Sequence, residues 1–133
     1  MLAVVAQWTG KEQVHANCVV PILVSSEQGH LKSTFCKGLL PPCLHRYYTE
    51  KFSLTSQGDA ERKLAEMALI NLAEFDRYSL VQMPQLKNLM QLSTLNLRKP
   101  HQKSYRLLPR IASFIGTSNR MDLLTDPSGS RRY

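Results

Sequence analysis

Residues 21–34 read Pro-Ile-Leu-Val-Ser-Ser-Glu-Gln-Gly-His-Leu-Lys-Ser-Thr, an apolar β-branched run that passes into a polar loop. The loop ends in Lys32-Ser33-Thr34 at the start of an expected helix. Backbone N–H groups, an ammonium and a hydroxyl meeting at a helix start can hold a phosphate. The usual spacing is Gly, four residues, Gly, Lys, then Ser or Thr. Here Ser26 and Leu31 take the two outer glycine positions, and Gly29 remains between them. Glycine in such loops allows positive φ, so Leu31 must avoid that conformation or accept about 1–3 kcal/mol of strain. In this reading Ser26, Gln28, Gly29, His30, Leu31, Lys32, Ser33 and Thr34 line a nucleotide phosphate. Lys32 faces the β/γ-phosphates, and Ser33 offers its hydroxyl to a magnesium ion. The other reading is an ordinary strand-to-helix loop.

Three more stretches carry groups able to act with that loop. Leu69-Ile70-Asn71-Leu72-Ala73-Glu74-Phe75-Asp76 is an apolar run ending in acids, as needed to hold magnesium and polarise an attacking water. Glu74 suits the water, and Ala73 stands where a metal-holding acid belongs. Asp76 is then the candidate substitute beside Ser33; alternatively either acid caps the next helix. Phe114-Ile115-Gly116-Thr117-Ser118-Asn119 can present Asn119 to a γ-phosphate, or Asn119 is only a turn residue. Arg131 and Arg132 follow a turn-forming run, 125–130, and suit a finger that neutralises transition-state charge across a subunit boundary. Their alternative is a solvated basic tail.

The elements that would position these groups follow from pattern. Residues 1–8 read as the end of an apolar helix stopped at Gly10, so the chain starts inside an element. Residues 18–24 (CVVPILV) read as a strand buried on both faces. Residues 33–40 read as a short helix closed by Gly38 and Pro41-Pro42. Residues 45–54 (HRYYTEKFSL) alternate and read as a second strand. Residues 57–66 form a charged helix with Arg62 and Glu66 paired at i,i+4, and 67–73 a third strand. Pro84 opens a helix that places Leu86, Leu89, Met90 and Leu92 on one face. Residues 93–108 read as an irregular basic connection, and 110–117 as a last strand. Strands alternating with helices predict an α/β domain with a mainly parallel sheet flanked by helices, of the P-loop NTPase kind. Ligands of such sheets sit outside the carboxyl ends of the strands, where the polar clusters at 26–33, 74–76 and 117–119 fall.

A chain of 133 residues with 43% hydrophobic residues holds one domain with a real core and is not of disordered composition. Its apolar runs are far shorter than the roughly 18 residues of a membrane span. No basic segment or cleavage site marks a signal peptide, so a cytoplasmic protein without membrane contact is expected. Cys18, Cys36 and Cys43 form no CxxC pair. Cys36, Cys43 and His45 lack a fourth ligand, so buried or half-buried free thiols are expected. The net charge of +7 is uneven: residues 1–95 contribute +1 and residues 96–133 contribute +6. A basic terminal third favours phosphate partners, with Arg98, Lys99, Lys103 and Arg106 as candidate DNA contacts.

The last two motifs also carry a resemblance. Arg110-Ile-Ala-Ser-Phe-Ile-Gly-Thr-Ser-Asn119, followed by Leu124-Thr-Asp-Pro-Ser-Gly-Ser-Arg-Arg-Tyr133, resembles the virulence-associated protein E (VirE/VapE) family of bacterial mobile elements and prophages. Asn-Val-Val-Pro-Ile-Leu-Val ahead of the loop in that family is similar to residues 17–24 here, and the acidic run 74–76 matches as well. The resemblance implies a P-loop ATPase of primase/helicase type that binds MgATP and acts on nucleic acid. It assigns the phosphate to Lys32, Ser33 and Gly29, the acid to Glu74, a sensor to Asn119 and the arginine pair to Arg131 and Arg132. A homo-oligomer of the full-length protein would let that pair reach a neighbour. Because such a domain ordinarily continues past the arginines, residues 1–133 are expected to be a truncated single domain. Ser26, Leu31 and Ala73 leave open the alternative of a non-hydrolysing module for nucleic-acid binding or assembly.

Overall fold

Apolar runs without polar alternation need cover on both faces, and two segments receive it. Leu69–Leu72 and Ser113–Ser118 are buried at every position. They are the inner strands of a four-stranded sheet in a computed structural model that describes residues 2–9, 17–27, 31–79, 81–98 and 104–122. In chain order the elements are α1 (Leu2–Thr9), β1 (Ile22–Val24), α2 (Lys32–Gly38) and a 3-10 turn at Pro42–Tyr47. Then come β2 (Tyr48–Thr49), α3 (Gln57–Glu66), β3 (Leu69–Leu72), a 3-10 turn at Phe75–Arg77 and α4 (Gln82–Gln91). A hairpin of β4 (Thr94–Arg98) and β5 (Tyr105–Pro109) precedes β6 (Ser113–Ser118).

The sheet order is β1-β6-β3-β2 and every pairing is parallel. On one face Ile70, Leu72 and Phe114 pack with Ala60 and Leu64 of α3 and with Leu86, Leu89 and Met90 of α4. On the other, Leu69 and Ile115 pack with Cys36 of α2, and Trp8 of α1 joins them. Helices on both faces of a parallel sheet make this the expected α/β class. The last strand enters between β1 and β3, so residues 22–25 and 113–119 become neighbours. Gly116 makes room for that: a Cβ there would lie 3.3 Å from Ile22 Cγ1. Among the described residues no helix is long and apolar enough to cross a membrane.

Four elements depart from the sequence expectation. Only Ile22–Val24 of the 18–24 run is strand, and it lies at the end of the sheet with Val24 exposed rather than buried on both faces. Pro21 lacks the N–H that would extend its ladder, though its carbonyl still accepts from Gly116 N at 2.8 Å. The second strand shrinks to Tyr48–Thr49, because Pro41-Pro42 starts a 3-10 turn that consumes residues 42–47. Helix α4 begins two residues before Pro84, behind a reciprocal Ser79/Gln82 pair (Gln82 N to Ser79 Oγ 3.3 Å, Ser79 N to Gln82 Oε1 3.0 Å). The stretch expected to be irregular is the β4–β5 hairpin, with Leu95 turned inward at 2% exposure and paired with Leu108. By contrast α3 has the expected bounds. The anticipated Arg62–Glu66 pair stretches to 4.0 Å, while Lys63 first and then Arg62 reach Asp59 and hold its carboxyl below the usual range. Cys36 is buried, with its thiol pushed up to about 11 chiefly by loss of water; Cys18 is half-buried and Cys43 is exposed.

Two residues fix the ends of the frame. Arg110, counted by charge among the surface cations, is 1% exposed. Its guanidinium donates to Met90 O at the end of α4 and to Asn17 O ahead of β1. Leu31 sits at φ 49, ψ 26, the left-handed conformation that glycine adopts without penalty. Two outcomes follow. Arg110→Ala removes the charged donor to Met90 O and Asn17 O and leaves a cavity, and should lower unfolding free energy by about 2–5 kcal/mol in urea titration. Leu31→Gly relieves roughly 1–2 kcal/mol of left-handed strain against a smaller loss of chain entropy. It should therefore raise the urea midpoint, whereas β-branched Leu31→Val should lower it.

Candidate functional site

A parallel sheet brings all its carboxyl ends to one edge, and five polar residues collect there. Ser25 follows β1, Glu50 follows β2, Glu74 and Asp76 follow β3, and Asn119 follows β6. Lys32, the first residue of α2, reaches back across the first of these ends. Its ammonium donates to Ser25 O and Ser118 O at 3.2 Å each, to Asn119 Oδ1 at 2.5 Å and, more weakly, to Glu27 O at 3.5 Å. These four acceptors are uncharged oxygens, so they solvate the charge without cancelling it. Leu31 O accepts from Phe35 N at 2.8 Å, so the left-handed residue is itself the start of the helix ladder.

Ser118 joins this group to the acids. Buried at the end of β6, it accepts Ser25 N on its carbonyl at 3.2 Å, and its hydroxyl donates to Asp76 Oδ1 at 2.9 Å. Asp76, half-buried in the 3-10 turn after β3, is thereby linked to the Lys32 cluster. Glu74 is not. It too lies at positive φ (53°), and its carboxylate forms a 2.6 Å ion pair with Arg77 on the exposed side of the turn. Ser26, Ser33 and Thr34 are exposed around the loop end and first turn of α2. Arg98 and Arg106 line a groove of about 400 Å3 against Gly58, Asp59, Arg62 and Glu66 of α3, apart from the bonds of Lys32. Gln28, Gly29, His30, Lys99, Lys103, Arg131 and Arg132 fall outside the described residues.

One group of polar residues at this edge carries no motif. Tyr48 Oη donates to Glu50 Oε1 at 2.7 Å, and Asn71 Nδ2 reaches Tyr48 Oη at 3.0 Å and Glu50 Oε1 at 3.3 Å. Tyr48 Oη also lies 3.4 Å from Ser33 O, which ties the group to the start of α2. Burial first, then its bond to Glu50, raises the Tyr48 phenol well above its ordinary value, so it remains a donor throughout the neutral range. The one available sequence signal was a lone asparagine inside the apolar run 69–72, where β-strand burial demands a polar partner.

Taken together, the described residues of this edge offer a cation held by neutral oxygens, a hydroxyl-bearing helix start, two acid-bearing turns and an amide at the end of the inserted strand. No curated protein matches the chain. The family model described as virulence-associated protein E-like domain matches residues 4–133, nearly the whole sequence. The chain belongs to the virulence-associated protein E-like family.

Proposed function

We propose that this domain binds a nucleoside triphosphate with magnesium at the carboxyl edge of β1 and β6 and couples it to nucleic acid. It would be the P-loop ATPase domain of a primase/helicase-type protein from a bacterial mobile element or prophage, acting in the cytoplasm. The observation that carries the reading is the environment of Lys32. An ammonium half-buried among four neutral oxygens is not paired off by them and stays available to an incoming anion. Lys32 and Ser33 would take the β/γ-phosphates, and Asn119 would exchange its bond to Lys32 for the γ-phosphate. Glu74 or Asp76 would orient water, and Arg131 and Arg132 would act on a neighbouring copy in an oligomer. Magnesium fits the donors present, since the edge holds Ser33, carboxylates and a buried amide oxygen without a donor, Asn71 Oδ1. When bound, it would neutralise charge on the phosphates.

DNA as partner draws support from charge and shape. From Arg77 to Met121 the sequence carries eight Lys/Arg and no Asp or Glu over 45 residues. Within that span the hairpin pairs Arg98 with Tyr105 and Asn96 with Leu107, and Tyr105 and Leu107 are 63% and 69% exposed. Cations beside an exposed ring suit backbone contact plus base stacking. A second reading, a binding module without hydrolysis, is favoured by Ala73 and by the closing of Glu74 onto Arg77. Sustained phosphate release that Glu74→Gln abolishes would exclude it.

Two measurements test the main reading. Lys32→Ala removes a charge-assisted contact and should weaken binding of a fluorescent ATP analogue about tenfold or more; unchanged affinity rules out the phosphate role. Replacing Lys99, Lys103 and Arg106 together by Ala should weaken DNA binding and flatten the slope of log K against log salt by about 2–3. A slope that stays put would remove these residues from the contact.

A further inference from the structure

Glu50 stands one place past Thr49 in the β2–β3 register and so lies beside Asn71. Asn71 is fully buried, and with its Nδ2 given to Tyr48 and Glu50 its Oδ1 has no donor. A bare buried amide oxygen costs about 1–3 kcal/mol, and such exceptions mark a place where a water or an ion belongs. In the present arrangement two partial positive groups, the Asn71 N–H and the Tyr48 hydroxyl proton, crowd one Glu50 oxygen. They stand where a cation would. The last torsion of asparagine is soft and two-fold, so the same side chain can turn its oxygen toward a cation at Glu50.

Three further facts narrow the role. Tyr48 links this group to Ser33, the helix-start hydroxyl residue. Position 73, just past β3, is alanine and supplies no ligand. Asp76, the other candidate, is bonded to Ser118, whose carbonyl already holds the Lys32 ammonium, so a second cation there would compete with it. Carboxylate, amide oxygen and hydroxyl are hard donors suited to magnesium. We propose that the divalent cation entering with the nucleotide is held on the Glu50–Asn71 side of Ser33, with Glu50 supplying the carboxylate that position 73 lacks. This rests on the nucleotide reading above.

Manganese is the probe, followed by its broadening of NMR signals in the full 133-residue chain, with and without ADP. The Asn71 side-chain amide and the backbone amides of Glu50 and Ser33 should broaden at the lowest manganese concentrations. Glu50→Gln, an isosteric change at an exposed site, should raise the manganese needed by about tenfold or more. Asp76→Asn should leave it within about twofold. Broadening centred on Asp76 and Ser118, or broadening at Asn71 that Glu50→Gln does not move, overturns the assignment. Absence of broadening near Asn71 does so too, and leaves its oxygen to an ordered water. Nucleotide binding in metal-free buffer separates this from the nucleotide reading. Binding that needs Lys32 without manganese at Glu50 keeps the function and loses the cation site. Manganese at Glu50 without Lys32-dependent binding keeps the cation site and sinks the nucleotide reading.

Discussion

A buried guanidinium with no carboxylate partner among the described residues is the constraint on which the rest of this domain hangs. Arg110 enters β6 with its fork turned into the core, donating to the carbonyls of Met90 and Asn17, while its own carbonyl accepts from Gln7 Nε2. Its centre lies 5.8 Å from the Phe114 ring. Burial draws its pKa down to about 10, which still leaves it charged near neutrality. Withdrawing such a charge from water costs several kcal/mol, so the return must come from oriented dipoles and from what the pin joins. Met90 sits at the carboxyl end of α4, where the helix dipole is negative and favours a cation. Asn17 leads into β1. One side chain therefore ties together the helix before the hairpin, the segment before the loop strand and the start of the central strand.

That pin has a consequence at the other end of β6. A strand is stiff over six residues, so fixing its entry fixes where Ser118 and Asn119 emerge. They emerge against Ser25 and Lys32, and the loop cation finds its oxygens already in place. The site thus depends on a rigid frame rather than on the loop's own sequence, which has lost two of the three glycines that would shape it. Where the loop must turn left-handed, Leu31 does so with a side chain 71% exposed. An exposed leucine in that conformation meets no steric demand besides its own backbone, which is why the frame can carry it.

Much of this frame was legible in the residues, and the gaps have identifiable causes. The bounds of α3, and a strand within 67–73, follow from a charged, helix-forming run and an apolar one. The meeting of Lys32 with Asn119 was implied by where polar clusters fall at strand ends. The hairpin was missed because arginines and lysines between short apolar pairs obscure a two-residue alternation. The second strand was overdrawn because aromatic alternation continues through a turn that Pro42 had already begun. Counting charge treated Arg110 like the other cations, and only packing separates a core arginine from a surface one. Glu50 was invisible for a different reason. Its meaning lies in a register across strands, and no local pattern couples position 50 to position 71.

Among the described residues the non-glycine positions with positive φ are Leu31 and Glu74, and both lie at the carboxyl edge. Each costs on the order of 1–3 kcal/mol, a sizeable part of the stability of a domain this size. Strain placed at random would have little reason to gather at two turns of one sheet edge, one after β1 and one after β3. Each outlier turns the chain close to where it leaves the sheet edge. At Leu31 the turn swings Lys32 inward over the strand ends. At Glu74 it swings the carboxylate outward to Arg77 while bringing Asp76 back to Ser118. The two distortions therefore sort charge: Lys32 turns toward the edge, Glu74 away from it and Asp76 back to it. A frame pinned by Arg110 can hold such an edge open; a looser one would relax it.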